Sequence, residues 1–93
     1  MTHHIKLNHH YAGAVLCGDK NFEVRYNDRG YQKGDKVVFS VVDDGGITLS
    51  HPLSRTTFEI TYVLCGWGVK ENWCVFGISP WKTECEWKEE END

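Results

Sequence analysis

The chain has 93 residues, of which 40% are hydrophobic and 13% aromatic. This composition suits one folded domain with a modest core and excludes a largely disordered chain. No apolar run approaches the roughly 20 residues of a transmembrane helix, and the N-terminal residues lack the basic-then-apolar pattern of a signal peptide. We therefore expect a cytoplasmic domain that does not enter a membrane.

The net charge of −4 is concentrated at the C-terminal end of the sequence. Residues 82–93 contain six acids and two lysines, so residues 1–81 are neutral overall. Nonspecific duplex binding normally depends on a strongly basic surface. A nucleic-acid partner is therefore expected to contact only a small local patch. We expect a domain over residues 1–80, followed by an acidic, flexible tail over residues 81–93.

The cysteines and histidines do not predict a cofactor. The four cysteines are expected to be free thiols because the cytoplasm is reducing, and none of their spacings matches a zinc site. Cys17 and Cys74 are expected to be buried as small hydrophobic residues. No acid or cysteine completes a metal site with the pairs His3-His4 and His9-His10, so we expect neither a metal nor another cofactor.

The first predicted elements are a short strand over residues 4–7 and a helix over residues 9–17. Asn8 has the side chain of a helix N-cap, and Gly18 can adopt the left-handed conformation that ends a helix. The helix carries an apolar stripe, and because it is too short to persist alone, that stripe is expected to pack against a sheet. The stripe consists of Leu7, Tyr11, Ala12, Val15 and Leu16.

A strand is predicted over residues 21–26, where apolar and charged side chains alternate. Phe22, Val24 and Tyr26 alternate with Glu23 and Arg25, and successive side chains of a strand point to opposite faces. We expect the apolar set to face inward and the charged set outward. Lys20, in the preceding turn, is expected near the charged face.

Further strands are predicted over residues 37–42, 47–49, 56–64 and 73–78, with the last ended by Pro80. The first of these is apolar on both faces and is expected to be central in the sheet. Turn-forming residues and loops separate the strands, including a loop over residues 51–54. Five or six short strands and one N-terminal helix predict an α+β, mostly β domain built as a small curled sheet or barrel.

One segment resembles a known family. The run Gly18-Asp19-Lys20-Asn21-Phe22-Glu23-Val24-Arg25, followed by Asn27-Asp28-Arg29 and by Lys33-Gly34-Asp35 before a strand, resembles the ASCH-type branch of the PUA-like superfamily. The similarity extends over about residues 3–79 and includes short bacterial and phage proteins that begin with a segment similar to His4-Ile5-Lys6. It implies a PUA-like pseudo-barrel with a cleft between the first helix and the strands, where related domains bind RNA or modified nucleosides.

The charged patch has two interpretations. Lys20 and Arg25 can donate hydrogen bonds to a phosphate or a base carbonyl, and Glu23 can accept from a base amino group or orient Lys20. In that case the domain is an RNA- or nucleotide-binding module. Alternatively, Glu23 and Arg25 form an exposed pair that serves solubility and contributes at most about 1 kcal/mol.

Three other residues are candidates for the same ligand site. Arg29 can reach back into the cleft from its turn, and the resemblance implies that His4 lies at the cleft floor as a hydrogen-bonding or acid-base group. Trp67, between two glycines, can stack on an unpaired base or fill the core. Trp73, inside a predicted strand, is expected in the core.

An alternative function is a small amidohydrolase. One ASCH relative hydrolyses the acetyl amide of N4-acetylcytidine with a lysine, a threonine and a glutamate. By this resemblance Lys20 matches the lysine, Glu23 occupies the threonine position, and Glu59 and Glu71 are candidates for the glutamate. Lys20 would then attack or activate the acyl carbon while a carboxylate transfers protons. A third hypothesis is a phage accessory protein that acts on a host protein, with the acidic tail mimicking nucleic acid or occupying the cleft.

Overall fold

The computed structural model describes residues 1–83, and the acidic segment 84–93 lies outside the described residues. The predicted α+β, mostly β class is confirmed. Among residues 1–83 no helix is long and apolar enough to cross a bilayer. The elements in chain order are β1 (Thr2–Asn8), α1 (His9–Cys17), β2 (Phe22–Tyr26), β3 (Lys36–Val42), a 3₁₀ helix (Pro52–Arg55), β4 (Thr56–Leu64) and β5 (Trp73–Thr83).

The five strands form one sheet in the order β1-β3-β4-β5-β2, curled into a half-barrel. β1 is parallel to β3, and the other neighbours are antiparallel. β3 lies between β1 and β4, which confirms its predicted central position. Within residues 1–83 no strand pairing joins β1 to β2, so these two edge strands leave the half-barrel open.

The helix α1 has the predicted limits. The side chain of Asn8 accepts a hydrogen bond from the amide of His10 at 2.9 Å, and Gly18 ends the helix with φ +87°. Ala12 and Val15 are buried, whereas Tyr11 and Leu16 are 53% and 44% exposed. The buried stripe is therefore narrower than predicted, because the helix packs on β1, β3 and the 3₁₀ helix through one side only.

The core lies between the curled sheet and α1. The segment predicted as a loop over residues 51–54 includes the start of the 3₁₀ helix, which places Leu53 fully inside this core. The predicted strand over residues 47–49 is reduced to one bridge between Val42 and Thr48. The largest fully buried side chains are Phe39, Phe76, Leu53, Ile60, Val37, Val41 and Cys74.

The last strand continues beyond its predicted end. β5 extends through Pro80 to Thr83. Pro80 lies opposite Phe58 beside a register shift in the β4–β5 ladder, and pairing with β2 stops at Gly77. A proline is tolerated where a strand has only one neighbour or a bulge, because no ladder hydrogen bond needs its missing amide proton.

One of the two burial predictions for cysteine is wrong. Cys74 is fully buried, and this burial, with a smaller contribution from Cys65, raises the pKa of its thiol. Cys17 is exposed, because it ends α1 outside the narrow buried stripe. Within residues 1–83 the three cysteines are free thiols.

Candidate ligand-binding cleft

A cleft of about 910 Å³ lies where β1 and β2 fail to meet. Its volume is at the upper end of the roughly 300–1,000 Å³ that is typical of small-molecule sites. Each of the two strands has one edge that pairs with no other strand among residues 1–83, so the cleft lies between two strand edges. The lining residues are 4–8 of β1, Tyr11, Lys20, 23–26 of β2, Asp28, Arg29, Tyr31 and Trp73.

The two faces of β2 are the reverse of the prediction. Glu23 is 2% exposed, whereas Phe22, Val24 and Tyr26 are 44%, 51% and 52% exposed. The charged residues therefore face inward and the apolar residues outward. The interpretation of Glu23 and Arg25 as an exposed surface pair is wrong.

The register with β5 explains this reversal. Glu23 lies opposite Phe76 and Arg25 opposite Cys74, and both of these β5 residues are fully buried. Partners that lie directly opposite in an antiparallel ladder point to the same face. Glu23 and Arg25 therefore share the face of the sheet that holds the core.

Glu23 is enclosed by two cations. Lys20 Nζ donates to Glu23 Oε2 and, at 2.8 Å, to the carbonyl of Phe22. Arg25 Nε and Nη2 donate to Glu23 Oε1 at 2.9 and 2.6 Å. The Glu23 side chain is 3% exposed, against 21% for Lys20 and 24% for Arg25. The buried carboxylate is thus compensated, and one net positive charge faces the cleft.

The end of α1 positions Lys20. The turn after Gly18 allows the amide of Lys20 to donate to the carbonyl of Ala14 at 3.0 Å. The ammonium lies 5.0 Å from the ring centre of Phe22 and 5.6 Å from that of Tyr11, within the range of cation–π attraction. The glycine that stops the helix therefore also determines where this lysine enters the cleft.

The other candidate residues divide into two groups. Arg29 and His4 line the cleft, but His4 is exposed and does not lie at the cleft floor. Trp67 is 91% exposed and is not a lining residue. Trp73, expected in the core, is half-buried at the cleft, where its ring meets Tyr26 edge to face at 6.0 Å.

Tyr31 was not predicted as a site residue. It is 5% exposed, lines the cleft, and has ring centres 4.7 Å from Phe76 and 4.8 Å from His3. Burial raises the pKa of its phenol, while the charges of Arg25 and Arg29 act in the opposite direction. Tyr31 lies between two turns, where no periodic pattern exists to indicate its burial.

His3, which contacts the ring of Tyr31, is buried and pairs with the partly buried Asp35. His3 Nε2 is 2.8 Å from Asp35 Oδ2, and the amide of Gln32 donates to the same oxygen at 3.2 Å. Burial of the carboxyl raises its pKa, but these hydrogen bonds, together with the hydrogen bond and charge of the N-terminal ammonium at 3.4 Å, outweigh that effect, so the pKa of Asp35 is lowered. The pair joins β1 to the turn before β3 and supports one side of the cleft.

The cleft is positive although the whole chain is acidic. Six charged side chains line it, and the cations exceed the acids by two, whereas the chain carries a net charge of −4. This local excess favours an anionic ligand. The cations are Lys6, Lys20, Arg25 and Arg29, and the acids are Glu23 and Asp28.

Neither candidate for a distant catalytic glutamate lines this cleft. Glu59 pairs with Lys36 at 3.2 Å, and Glu71 lines a separate depression. Of the proposed catalytic groups, only Lys20 and Glu23 are in contact within the cleft. The cleft thus contains several cationic hydrogen-bond donors and aromatic side chains, but only part of the set of residues proposed for hydrolysis.

The prediction that no acid completes a group with the histidine pairs is wrong for one of them. Asp44, in the turn after β3, lies close to His9 and His10.

The fold and cleft define a small α+β half-barrel domain whose cleft lies between its edge strands. Residues 2–78 match the family described as Domain of unknown function (DUF3850), and the chain belongs to that family. No curated protein matches the chain. The crystal structure of hypothetical protein PH0355 is similar, with a TM-score of 0.57 and 15% sequence identity over 87% of this chain and 100% of that one. At this identity the likeness concerns the fold alone.

Proposed function

We propose that this domain binds single-stranded RNA or a nucleotide in the cleft between β1 and β2. The observation that carries the proposal is the excess of two positive charges in this cleft, within a chain of net charge −4. The resemblance of residues 18–25 to ASCH-type, PUA-like domains supports the same ligand class.

The cationic residues differ in role. Arg29 is exposed at the cleft rim and Lys6 is exposed on β1, so both suit phosphate contacts. Lys20 and Arg25 are held on Glu23 and direct their remaining N–H donors toward a phosphate or a base carbonyl. Glu23 accepts three hydrogen bonds from these two residues, and a carboxylate offers about four acceptor positions. Its main role is therefore to position the cations.

Two aromatic residues at the cleft, Tyr26 and Trp73, provide surfaces on which a nucleobase can stack. Tyr26 is 52% exposed, and Trp73 is half-buried beside it. Stacking of a base on an aromatic side chain contributes roughly 1–3 kcal/mol and tolerates different bases. Charge and stacking together favour a ligand that carries both a phosphate and an unpaired base.

The test is an NMR titration of the ¹⁵N-labelled chain with single-stranded RNA, single-stranded DNA and mononucleotides at low salt. We expect salt-sensitive shifts in residues 4–8, 20–31 and 73. The exposed tip of the turn after β3, residues 45–47, serves as an internal control that should not respond. The proposal is wrong if no probe shifts the cleft resonances, or if the shifts centre elsewhere.

A second candidate is an amidohydrolase acting on an acylated nucleoside such as N4-acetylcytidine. The contact between Lys20 and Glu23 within the cleft favours it, because a lysine nucleophile needs an adjacent base to take up its proton. However, Lys20 Nζ donates to two acceptors at once, and Arg25 also occupies the carboxylate. Binding is therefore the preferred function.

Turnover of N4-acetylcytidine separates these two functions. A hydrolase releases acetate, and the Lys20→Ala variant loses that activity. A binding module gives NMR shifts with nucleotides and no product. A wild-type chain that is inert on a panel of acylated bases would end the hydrolase hypothesis without affecting the binding proposal.

A further inference from the structure

We infer that His9, His10 and Asp44 form a solvent-accessible site for a divalent transition-metal ion, with zinc and nickel as the expected class. The three side chains offer two imidazole nitrogens and one carboxylate oxygen, and these atoms lie within 4.8 Å of one another. Among residues 1–83 this is the group of three His, Cys, Asp or Glu side chains whose ligand atoms lie this close together. It lies outside the residues proposed to contact a nucleotide.

Strand pairing brings the three residues together. In the parallel ladder of β1 and β3, Asn8 lies opposite Val42. His9 and His10 follow Asn8 at the start of α1, and Asp44 follows Val42 in the turn after β3. The last pair of the ladder therefore places ligands that are distant in sequence beside each other, on backbone held by sheet and helix.

The distances suit a small coordination sphere. His10 Nε2 is 3.2 Å and His9 Nε2 is 3.7 Å from Asp44 Oδ1. Ligand atoms about 2.0–2.2 Å from a tetrahedral metal lie roughly 3.3–3.6 Å apart. Both of these distances lie within a few tenths of an ångström of the metal-bound spacing. The three ligand atoms together lie within 4.8 Å of one another, so the histidine side chains must rotate toward each other to close the site.

Neighbouring side chains hold the acid in place. Asn8 Nδ2 donates to Asp44 Oδ1 at 3.1 Å, which orients the carboxylate as outer-sphere hydrogen bonds commonly do at metal sites. Asp43 Oδ1 accepts from the amides of Gly45 and Ile47, both at 2.9 Å, and so fixes the turn. Asp43 shapes the backbone, whereas the carboxylate of Asp44 faces the imidazoles, with Oδ2 3.4 Å from His10 Nε2, a contact that a bound ion would replace.

The donor set selects the class of metal. Two imidazoles and one carboxylate suit zinc, nickel, copper or cobalt, whereas calcium and magnesium prefer a complete set of oxygen ligands. The side chains of His9, His10 and Asp44 are 37%, 62% and 73% exposed. Water therefore has access to the remaining coordination positions. A bound ion would tie the start of α1 to the turn after β3.

Calorimetric titration of the folded full chain with zinc chloride, and separately with nickel chloride, tests this inference, with the solvent-accessible cysteines alkylated beforehand to block thiol ligands. We expect one saturable site per chain. Asp44→Asn and His10→Gln should each weaken binding at least tenfold, as expected for loss of one of three ligands. Asp19→Asn removes an exposed acid elsewhere and should bind as tightly as wild type.

NMR locates the site and guards against misfolded variants. Zinc should shift the imidazole resonances of His9 and His10, while the dispersed spectrum of Asp44→Asn shows that this variant folds. The inference is overturned if no saturable binding occurs, if Asp44→Asn binds as tightly as wild type, or if the shifts lie at His3, His4 or His51 instead.

Discussion

Glu23 is the residue on which the cleft depends. Its carboxylate is 3% exposed and accepts hydrogen bonds from Lys20 and Arg25, which themselves remain 21% and 24% exposed. Removing one partner of a buried ion pair leaves uncompensated charge and costs far more than losing an exposed pair. Because the two cations retain some contact with water, the cost here falls below that of a fully buried pair.

Replacing Glu23 with glutamine tests this role. We expect Glu23→Gln to lower the free energy of unfolding by about 2–3 kcal/mol, because Lys20 and Arg25 lose their shared counter-charge. Urea denaturation measures the change. The matched control is Glu59→Gln, which breaks the pair with Lys36; the Glu59 side chain is 42% exposed against 3% for Glu23, and the change should cost less than about 1 kcal/mol. Equal losses in the two variants would contradict the buried role of Glu23.

Asp35 should make the free energy of unfolding depend on pH. Its pKa is lowered in the folded chain, so its ionised form stabilises the fold above the ordinary carboxyl value of about 4. This contribution disappears as the pH falls through the lowered pKa. We expect Asp35→Asn to lose about 1–2 kcal/mol at neutral pH, since it weakens the contacts with His3 and Gln32.

The measurement is the difference in unfolding free energy between wild type and Asp35→Asn as a function of pH. This difference should shrink as the pH falls from the ordinary carboxyl pKa of about 4 through the lowered pKa of Asp35. Asp19→Asn, an exposed acid, should stay within about 0.5 kcal/mol of wild type throughout. A constant Asp35→Asn deficit over the whole range would show that the charge of Asp35 is not the source of its effect.

At the scale of elements, the sequence predicted where the helix begins and ends more accurately than it predicted which side chains of β2 face the core. Asn8 and Gly18 mark both ends of α1 because capping depends on a few adjacent residues. The facing of β2 depends on its neighbour instead. Since β5 is apolar on both faces, through Cys74 and Phe76 on one side and Val75 on the other, the alternation within β2 cannot reveal which side is buried.

Gly18 ends α1, and the turn that follows it places Lys20 in the cleft. Its φ of +87° is costly for other residues, so Gly18→Ala should destabilise the chain by about 1 kcal/mol. Because the following turn positions Lys20, NMR shifts of Lys20 and Glu23 should accompany the loss. Thermal denaturation and amide spectra measure both effects.

The control for Gly18→Ala is a glycine within the same helix. A methyl group at Gly13 would meet no atom within 4 Å beyond its chain neighbours and the nearby backbone of its own helix, and this residue lacks a positive φ. Gly13→Ala should therefore stabilise the chain by about 0.5–1 kcal/mol through its higher helix propensity. If both alanine variants changed stability in the same direction, the assigned role of the Gly18 conformation would be wrong.

At the scale of the whole molecule, the open side of the half-barrel creates the cleft. The sequence predicted a small curled sheet and singled out Lys20, Glu23 and Arg25 from their spacing on one segment. It did not predict Tyr31 or the approach of Asp44 to His9, because these depend on pairing between residues distant in the chain. Trp67 was predicted as a site residue but lies outside the cleft, because the direction of a glycine-rich loop cannot be predicted from an aromatic residue within it.

The charge of the cleft predicts how ligand binding responds to salt. Four cations line it, and each phosphate neutralised on a single strand contributes about 0.7 to the slope of log affinity against log salt. The slope for single-stranded RNA should therefore be no steeper than about −3. A much steeper slope would indicate a broader basic surface than the cleft provides.

The most direct measurement compares Arg29→Gln with Lys33→Gln by fluorescence anisotropy, using a short single-stranded RNA of mixed sequence at several salt concentrations. Both residues are exposed, but only Arg29 lines the cleft. We predict that Arg29→Gln lowers affinity about fivefold or more and reduces the salt slope by about 0.7, while Lys33→Gln stays within about twofold of wild type. Equal effects of the two variants, or no effect of Arg29→Gln on RNA that the wild type binds, would contradict it.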